Sequence, residues 1–317
     1  MPKSPYKIVF MGTPQFAVPY LKSLITDKDF KVEAVLTRPD KPAGRKQVMT
    51  PPPVKIIAKE NTIEILQPEK LKENKEIITS LKIINPDLVV VVAYGQIIPQ
   101  EILDIPKIGN INVHPSLLPK YRGASPIQNA ILNQEKITGL TIMLMDEKMD
   151  HGPILAQKEI ILDSAETNES LHQAMSDKSS TDFFIKTLKQ FVNGDLKPQA
   201  QDHSQATYCR LISKEEARIN WHDLAENISA KIRGFYPWPL AWTTLHNKRM
   251  KLFPPIEIIE TTKKPGEIFS FNKKMAIACQ DQSIILSTLQ LEGKNRVLAA
   301  NFLLGNKKIV GSNFDGD

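Results

Sequence analysis

Asn112 and His114 stand two residues apart in Gly109-Asn110-Ile111-Asn112-Val113-His114-Pro115, and in an extended strand that spacing puts both side chains on one face. Two hydrogen-bonding side chains that point the same way can act on one substrate atom. Pro115 removes a ladder donor and ends the strand, so the pair falls at the strand's carboxyl end, where open α/β sheets bind their ligands. A second apolar strand, Leu140 to Leu144, runs into the loop Met145-Asp146-Glu147-Lys148-Met149-Asp150-His151-Gly152-Pro153, again expected at a strand's carboxyl end. Asp150 there supplies what the first pair lacks: a carboxylate that orients the imidazole and accepts a proton from an attacking amine. A single acidic loop residue is more often merely solvated. It is the combination with Asn112 and His114 that singles out Asp150, and the three together describe amide transfer.

Those residues need a scaffold, and the first 200 positions alternate between β-rich apolar runs and helical patterns, as in βαβ units around a parallel sheet. Strands are expected at Lys7 to Met11, Val32 to Thr37, Ile63 to Leu66, Leu88 to Ala93, Asn110 to His114 and Leu140 to Leu144. Helices are expected at Pro14 to Ile25, capped by Thr13, at Asn74 to Ile84 and over Asn168 to Val192. The fold class is α/β, a doubly wound Rossmann-like N-terminal domain with a parallel sheet. Its first strand ends in Gly12-Thr13-Pro14-Gln15-Phe16-Ala17, which lacks GxGxxG, and no GxxxxGK[ST] follows, so neither a nicotinamide nor a P-loop nucleotide has motif support. Cys209 and Cys279 form no CxxC, the six histidines show no HxH or HExxH spacing, and a metal is not expected.

The 317 residues suggest two domains. We place a catalytic domain at 1–195, a linker at 196–207 after the breaker-rich Asn193-Gly194-Asp195, and a C-terminal domain at 208–317. The last of these contains short β-like runs separated by turns, as in a small β-barrel of the oligonucleotide-binding kind. It also carries 16 Lys and Arg against 11 Asp and Glu, whereas residues 1–207 hold 25 against 24. A polyanionic partner and an ordinary basic surface stand level on charge alone. The stretch Arg38 to Lys55 has prolines, no apolar periodicity and the cations Arg38, Lys41, Arg45, Lys46 and Lys55; loops of that length in a compact domain tend to be functional or disordered. Phe235, Tyr236 and Trp238 are assigned to packing. The longest apolar run is far short of a membrane span, and the N-terminus leads straight into a strand, so a cytoplasmic protein is expected, with a monomer as its state.

The run Asn112-Val113-His114-Pro115-Ser116-Leu117-Leu118-Pro119, with Asp150 in the following Asp-x-Gly, resembles the signature of the folate-dependent formyltransferases. The resemblance implies that Asn112, His114 and Asp150 are the catalytic set and that Ser116, Leu117, Leu118 and Pro119 contact 10-formyltetrahydrofolate, the formyl donor. Val90-Val91-Val92-Ala93-Tyr94-Gly95 is similar to the strand and turn bordering the family's folate pocket, which adds Tyr94 and Gly95. Arg38 to Lys46, with Pro51 to Lys55, resembles a loop that members acting on initiator methionyl-tRNA place at the acceptor stem, implying tRNA contacts by Arg38, Lys41, Arg45 and Lys46. Ser213 to Trp221 and Ile232 to Pro239 resemble the opening of those members' C-terminal, tRNA-binding domain. The implied reaction puts a formyl group on the α-amine of initiator methionyl-tRNA, for initiation of translation, with no metal or nicotinamide. Two positions depart from the family: Lys148 stands where many members carry Gly, and only Lys46 follows Arg45 where two lysines are common.

Overall fold

The structure, a computed structural model, describes residues 4–44 and 47–314. The chain divides into two compact units: residues 1–123, 138–160 and 172–208 form the first, and residues 124–137, 161–171 and 209–317 form the second. Residues 196–207, expected as a linker, belong to the first unit, where Ile154 and Gln199 exchange backbone hydrogen bonds of 2.7 and 2.8 Å.

In chain order the elements up to residue 209 are β1 (Tyr6–Gly12), α1 (Val18–Thr26), β2 (Phe30–Leu36), β3 (Lys41–Ala43), β4 (Val48–Thr50), α2 (Pro53–Glu60), β5 (Glu64–Leu66), α3 (Lys75–Ile84), β6 (Leu88–Val92), α4 (Gln100–Leu103), β7 (Gly109–His114), β8 (Arg122–Gly123), α5 (Pro126–Leu132), β9 (Ile137–Leu144), β10 (Ile154–Ile161), α6 (Asn168–Ala174), α7 (Lys178–Val192) and β11 (Tyr208–Cys209). Seven strands make the main sheet in the order β10-β9-β7-β6-β1-β2-β5. β6 is buried at all five positions, as a central parallel strand covered on both faces must be, and this is why it is built from Val and Leu alone. β1, β2, β5, β6 and β7 pair in parallel.

β9 corrects the expectation of a parallel sheet throughout, since it runs antiparallel to β7 with His114 opposite Thr141 and Ile111 opposite Leu144. A parallel return needs a crossover packed on the sheet. The helix between these strands, α5, instead packs on α8 (Ala225–Gly234) within the second unit.

Three local expectations also change. Thr13 caps no helix: a short 3₁₀ turn at Gln15–Ala17 precedes α1, and the Thr13 hydroxyl donates instead to the Tyr94 carbonyl at 3.0 Å, tying the end of β1 to the turn after β6. The single helix expected over Asn168 to Val192 is two, with Asp177 capping α7 through the Ser180 N–H at 2.7 Å. The loop after Arg38 contains the hairpin β3/β4 and runs into α2 at Pro53.

The second unit continues with β12 (Trp242–Leu245), β13 (Lys248–Ile259), β14 (Ile268–Phe271), β15 (Lys274–Ala278), β16 (Ser283–Leu291), β17 (Val297–Leu298) and α9 (Ala299–Gly305). Its antiparallel sheet, in the order β12-β13-β16-β15-β14, curls into a half-barrel. Met250 and Leu252 point inward while Arg249 and Lys251 point outward, the period-2 alternation of a sheet buried on one face. Trp221 is fully buried in this core, stacks on Phe314 at 5.1 Å between centroids and donates its indole N–H to Thr243. Phe235 is buried as expected, but Trp238 is 52% exposed, which corrects its assignment to packing.

Candidate active site

β7 delivers Asn112 and His114 to one face, and the chain brings Asp150 to both. The Asn112 amide Nδ2 donates to Asp150 Oδ1 at 3.3 Å, and His114 Nδ1 lies 3.6 Å from the same oxygen. Asp150 Oδ2 accepts from the Gly123 backbone N–H at 2.8 Å. His114 is buried and Asn112 half-buried. His114 Nε2 lies 2.9 Å from the Tyr121 carbonyl, and because a carbonyl only accepts, Nε2 carries a proton. Nδ1 is therefore the ring atom left facing Asp150.

Asp150 arrives by a route other than the one expected. Since β9 is antiparallel, its carboxyl end lies level with Ile111, and the following residues fold back over that end: Met145 N–H donates to Asn110 O at 2.8 Å and Leu144 N–H to Pro153 O at 2.9 Å. The reversal uses Asp150 itself, whose φ of 49° lies in the left-handed region that Asp tolerates better than most residues. Lys148 is exposed and is not one of the positive-φ positions, so a side chain fits there in place of the common Gly.

The Ser116-Leu117-Leu118-Pro119 turn is held mostly by its own polar groups. Ser116 is fully buried and its hydroxyl donates to Lys120 O at 2.6 Å; the buried Leu118 donates its N–H to Thr141 Oγ1 at 3.0 Å. Gln157 Nε2 donates to both Leu118 O and Thr141 Oγ1 at 2.9 Å. Leu117 and Pro119 are the half-exposed members, the two whose side chains a ligand can reach. Tyr94 places its ring in the hydrophobic core with Val9, Met11 and Ile98, and burial pushes its phenol up to about 12, against a smaller opposite effect of Arg38, so it stays protonated at neutral pH. It shapes the turn through its backbone and has no side chain facing outward, whereas Gly95, with φ of 82° and open space beside it, does face outward.

Of the four cations expected on RNA, Arg38 is half-buried at the end of β2 and Lys41 is exposed at the start of β3; Arg45 and Lys46 lie outside the described residues. On the same hairpin, Val48 and Met49 are about 60% exposed. Among the described residues no group of three or more His, Cys, Asp or Glu is arranged to hold a metal ion, and no helix is long and apolar enough to cross a membrane.

Two buried residues beside the site, Arg122 and Gln201, carry no signal in the sequence. Arg122 is 1% exposed and donates through Nη2 to Gln201 Oε1 at 2.6 Å and to His203 Nδ1 at 2.8 Å. Gln201 Nε2 in turn donates to Asp150 O at 2.9 Å and to Gly152 O at 2.7 Å. The His203 ring stacks on His151 at 3.9 Å, and His151 Nδ1 meets Asp146 Oδ2 at 2.6 Å. Desolvation, followed by the neighbouring His151 and Arg122, holds His203 below the usual histidine range, in keeping with a ring nitrogen that accepts from a guanidinium. A buried arginine inside an Arg-Gly pair has no periodicity to betray it.

Known proteins match the chain in two parts. A family model described as formyl transferase matches residues 6–188, and one described as formyl transferase, C-terminal domain, matches residues 211–307. The chain is 43% identical over 302 residues to a methionyl-tRNA formyltransferase of Citrifermentans bemidjiense, covering 95% of this chain and 94% of that protein. It is 41% identical to a methionyl-tRNA formyltransferase of Clostridium novyi, covering 95% of this chain and 97% of the relative. Among solved structures, the fold is shared with a Helicobacter canadensis N-formyltransferase in complex with folinic acid and dTDP-3-aminofucose, at a TM-score of 0.65 and 20% identity over 89% of this chain and 98% of that one. It is shared also with Aquifex aeolicus HypX in complex with tetrahydrofolic acid, at a TM-score of 0.65 and 17% identity over 97% of this chain; this chain spans 48% of HypX. With both family models matched in order and relatives above 40% identity along nearly its whole length, the chain belongs to the formyltransferase family, in its methionyl-tRNA formyltransferase group.

Proposed function

We propose that this protein transfers the formyl group of 10-formyltetrahydrofolate to the α-amine of methionine on initiator methionyl-tRNA, and that Asn112, His114 and Asp150 carry the chemistry. The observation that carries the chemistry is the convergence of an amide, an imidazole and a carboxylate within 3.6 Å at the end of β7. The neutral amine attacks the formyl carbon, a C–N bond forms, and the carbonyl electron pair moves onto oxygen. Asn112 has a second Nδ2 hydrogen for that oxygen, and His114, with Nε2 committed to Tyr121, donates from a protonated Nδ1. Asp150 balances the charged ring and takes the proton from the attacking nitrogen. That proton passes to the folate N10 as the second C–N bond breaks, leaving formylmethionyl-tRNA and tetrahydrofolate. Gly95, Leu117 and Pro119 are the donor-site residues open to the folate, with Ser116, Leu118 and Tyr94 building the walls behind them.

Likeness through both domains to proteins named for methionyl-tRNA supports the tRNA acceptor, whereas the N-formyltransferase in complex with dTDP-3-aminofucose shares the fold at 20% identity. In single-turnover assays with 10-formyltetrahydrofolate, charged initiator tRNA should be formylated and a dTDP-amino sugar should not. Formylation of the sugar with no product on tRNA would overturn the acceptor assignment while leaving the chemistry in place.

The outer face of the C-terminal sheet supports the same partner. Arg249 lies 4.0 Å over the Trp242 ring, Arg218 lies 5.8 Å from the same ring, and Arg296 lies 4.0 Å over Phe253. Trp242 pairs with Lys251, which stands two residues from Phe253 on β13, so these groups share one face of the sheet. Guanidinium groups held over aromatic rings present charge to phosphates and planar faces to bases. The double variant Arg249→Glu, Arg296→Glu should weaken tRNA binding and reduce the slope of log affinity against log salt by about one for each phosphate that is no longer neutralised. An unchanged slope would remove this face from the interface.

A further inference from the structure

We propose that Gln201 is a positioning residue for the transfer reaction, acting through Asp150, and that Arg122 fixes it in place. The inference rests on the catalytic assignment above and goes beyond it. A single amide group, Gln201 Nε2, donates to the carbonyls of Asp150 and Gly152, the two residues that bracket the reversal of the loop. Both of its hydrogens are committed there, and they brace a residue whose φ of 49° is uncommon for a side chain with a Cβ.

Arg122 sets which way the amide points. A guanidinium only donates, so Gln201 must turn Oε1 toward it, at 2.6 Å, and that choice sends Nε2 to the loop. The residue after Arg122 completes the clamp, since the Gly123 N–H holds Asp150 Oδ2 at 2.8 Å. Asp150 is thus fixed at its carboxylate by the chain neighbour of Arg122 and at its carbonyl by the amide that Arg122 orients. Gln201 and Arg122 are 6% and 1% exposed, so water does not replace either partner. The side-chain hydrogen bonds of Gln201 run to Arg122, Asp150 and Gly152, so its part is to hold the carboxylate where Asn112 and His114 meet it.

Two variants test this in the full-length protein. Gln201→Glu keeps the volume and a partner for Arg122 but has no N–H for the two carbonyls; Gln201→Met keeps the length and removes all hydrogen bonding. Each should lower kcat about 10- to 100-fold, the range expected when a reacting group is displaced by up to about 1 Å, with KM for folate and for tRNA within about twofold of the wild-type values. In an Asp150→Asn background neither should cause more than about a twofold further loss, because the group being positioned is already gone. A purely structural residue would instead lower melting temperature and multiply its loss onto that of Asp150→Asn. Wild-type kcat in either folded variant, or losses that multiply in the double variants, would overturn the proposal. If Gln201→Met does not fold, Gln201→Glu decides. The outcome for Asp150→Asn alone separates the two readings: wild-type turnover there defeats the catalytic assignment, whereas failure of coupling beside a strong Asp150 effect defeats only the role of Gln201.

Discussion

Replacing Asp150 by Asn should lower single-turnover formylation of initiator methionyl-tRNA on the order of 10²- to 10⁴-fold, the range general acid–base groups contribute. The substitution keeps shape and one acceptor oxygen for the Gly123 N–H, so the loop has reason to stay where it is. It removes the charge that faces His114 Nδ1 at 3.6 Å and the oxygen proposed to take the amine proton. Asn112→Ala should reduce turnover about 10²- to 10³-fold, as removal of one oxyanion donor does, and His114→Ala should fall in the same range. If the three act as one unit, as proposed, the triple variant should be little worse than the poorest single one. The measurement is formation of formylmethionyl-tRNA with both substrates saturating, beside tRNA and folate affinities measured separately. If all three single variants turned over near the wild-type rate with binding intact, these residues would not be the catalytic set.

The proposed set can be picked out in the sequence because its signals are local. Two polar residues at strand spacing before a proline survive any tertiary arrangement, and an apolar run such as Leu88–Val92 reads as a buried strand wherever it sits. The direction of β9 is not legible, because a strand's own residues are the same whichever way its neighbour runs; it follows from where α5 packs, and α5 packs on α8, more than ninety positions further along the chain. Gln201 is invisible for a related reason. Its partners, Arg122, Asp150 and Gly152, lie 79, 51 and 49 positions away, and no local pattern marks a glutamine whose amide points at two carbonyls. Thr13 shows the opposite error: a residue with good capping chemistry before a proline reads as local, and in the fold its hydroxyl goes to Tyr94, 81 positions on.

The reversal that brings Asp150 back along β7 makes Gly152 a position where a small change should do large damage. A Cβ built there would lie 2.1 Å from Leu144 O and 3.1 Å from Leu144 C, both backbone atoms at the end of β9, with Asp146 N at 3.3 Å. No rotamer relieves such a clash, since the colliding atoms belong to a strand whose register is set by β7. Gly152→Ala must therefore push the loop off the strand end by about 1 Å, and Asp150, which shares the Gln201 amide with Gly152 through their carbonyls, moves with it. A displacement of that size in a reacting group costs on the order of 10²-fold in rate, while overpacking of this kind costs about 1–3 kcal/mol in stability. Gly194→Ala is the comparison that separates the two effects. Gly194 has φ of 80° with nothing near its missing Cβ, so Ala there brings backbone strain of about 1–2 kcal/mol, remote in the chain from Asn112, His114 and Asp150. The two variants should melt within a few degrees of one another, and only Gly152→Ala should lose turnover. Equal turnover in both would mean that the loop absorbs a methyl group without moving Asp150, and that the carboxylate's position is less tightly set than its hydrogen bonds imply.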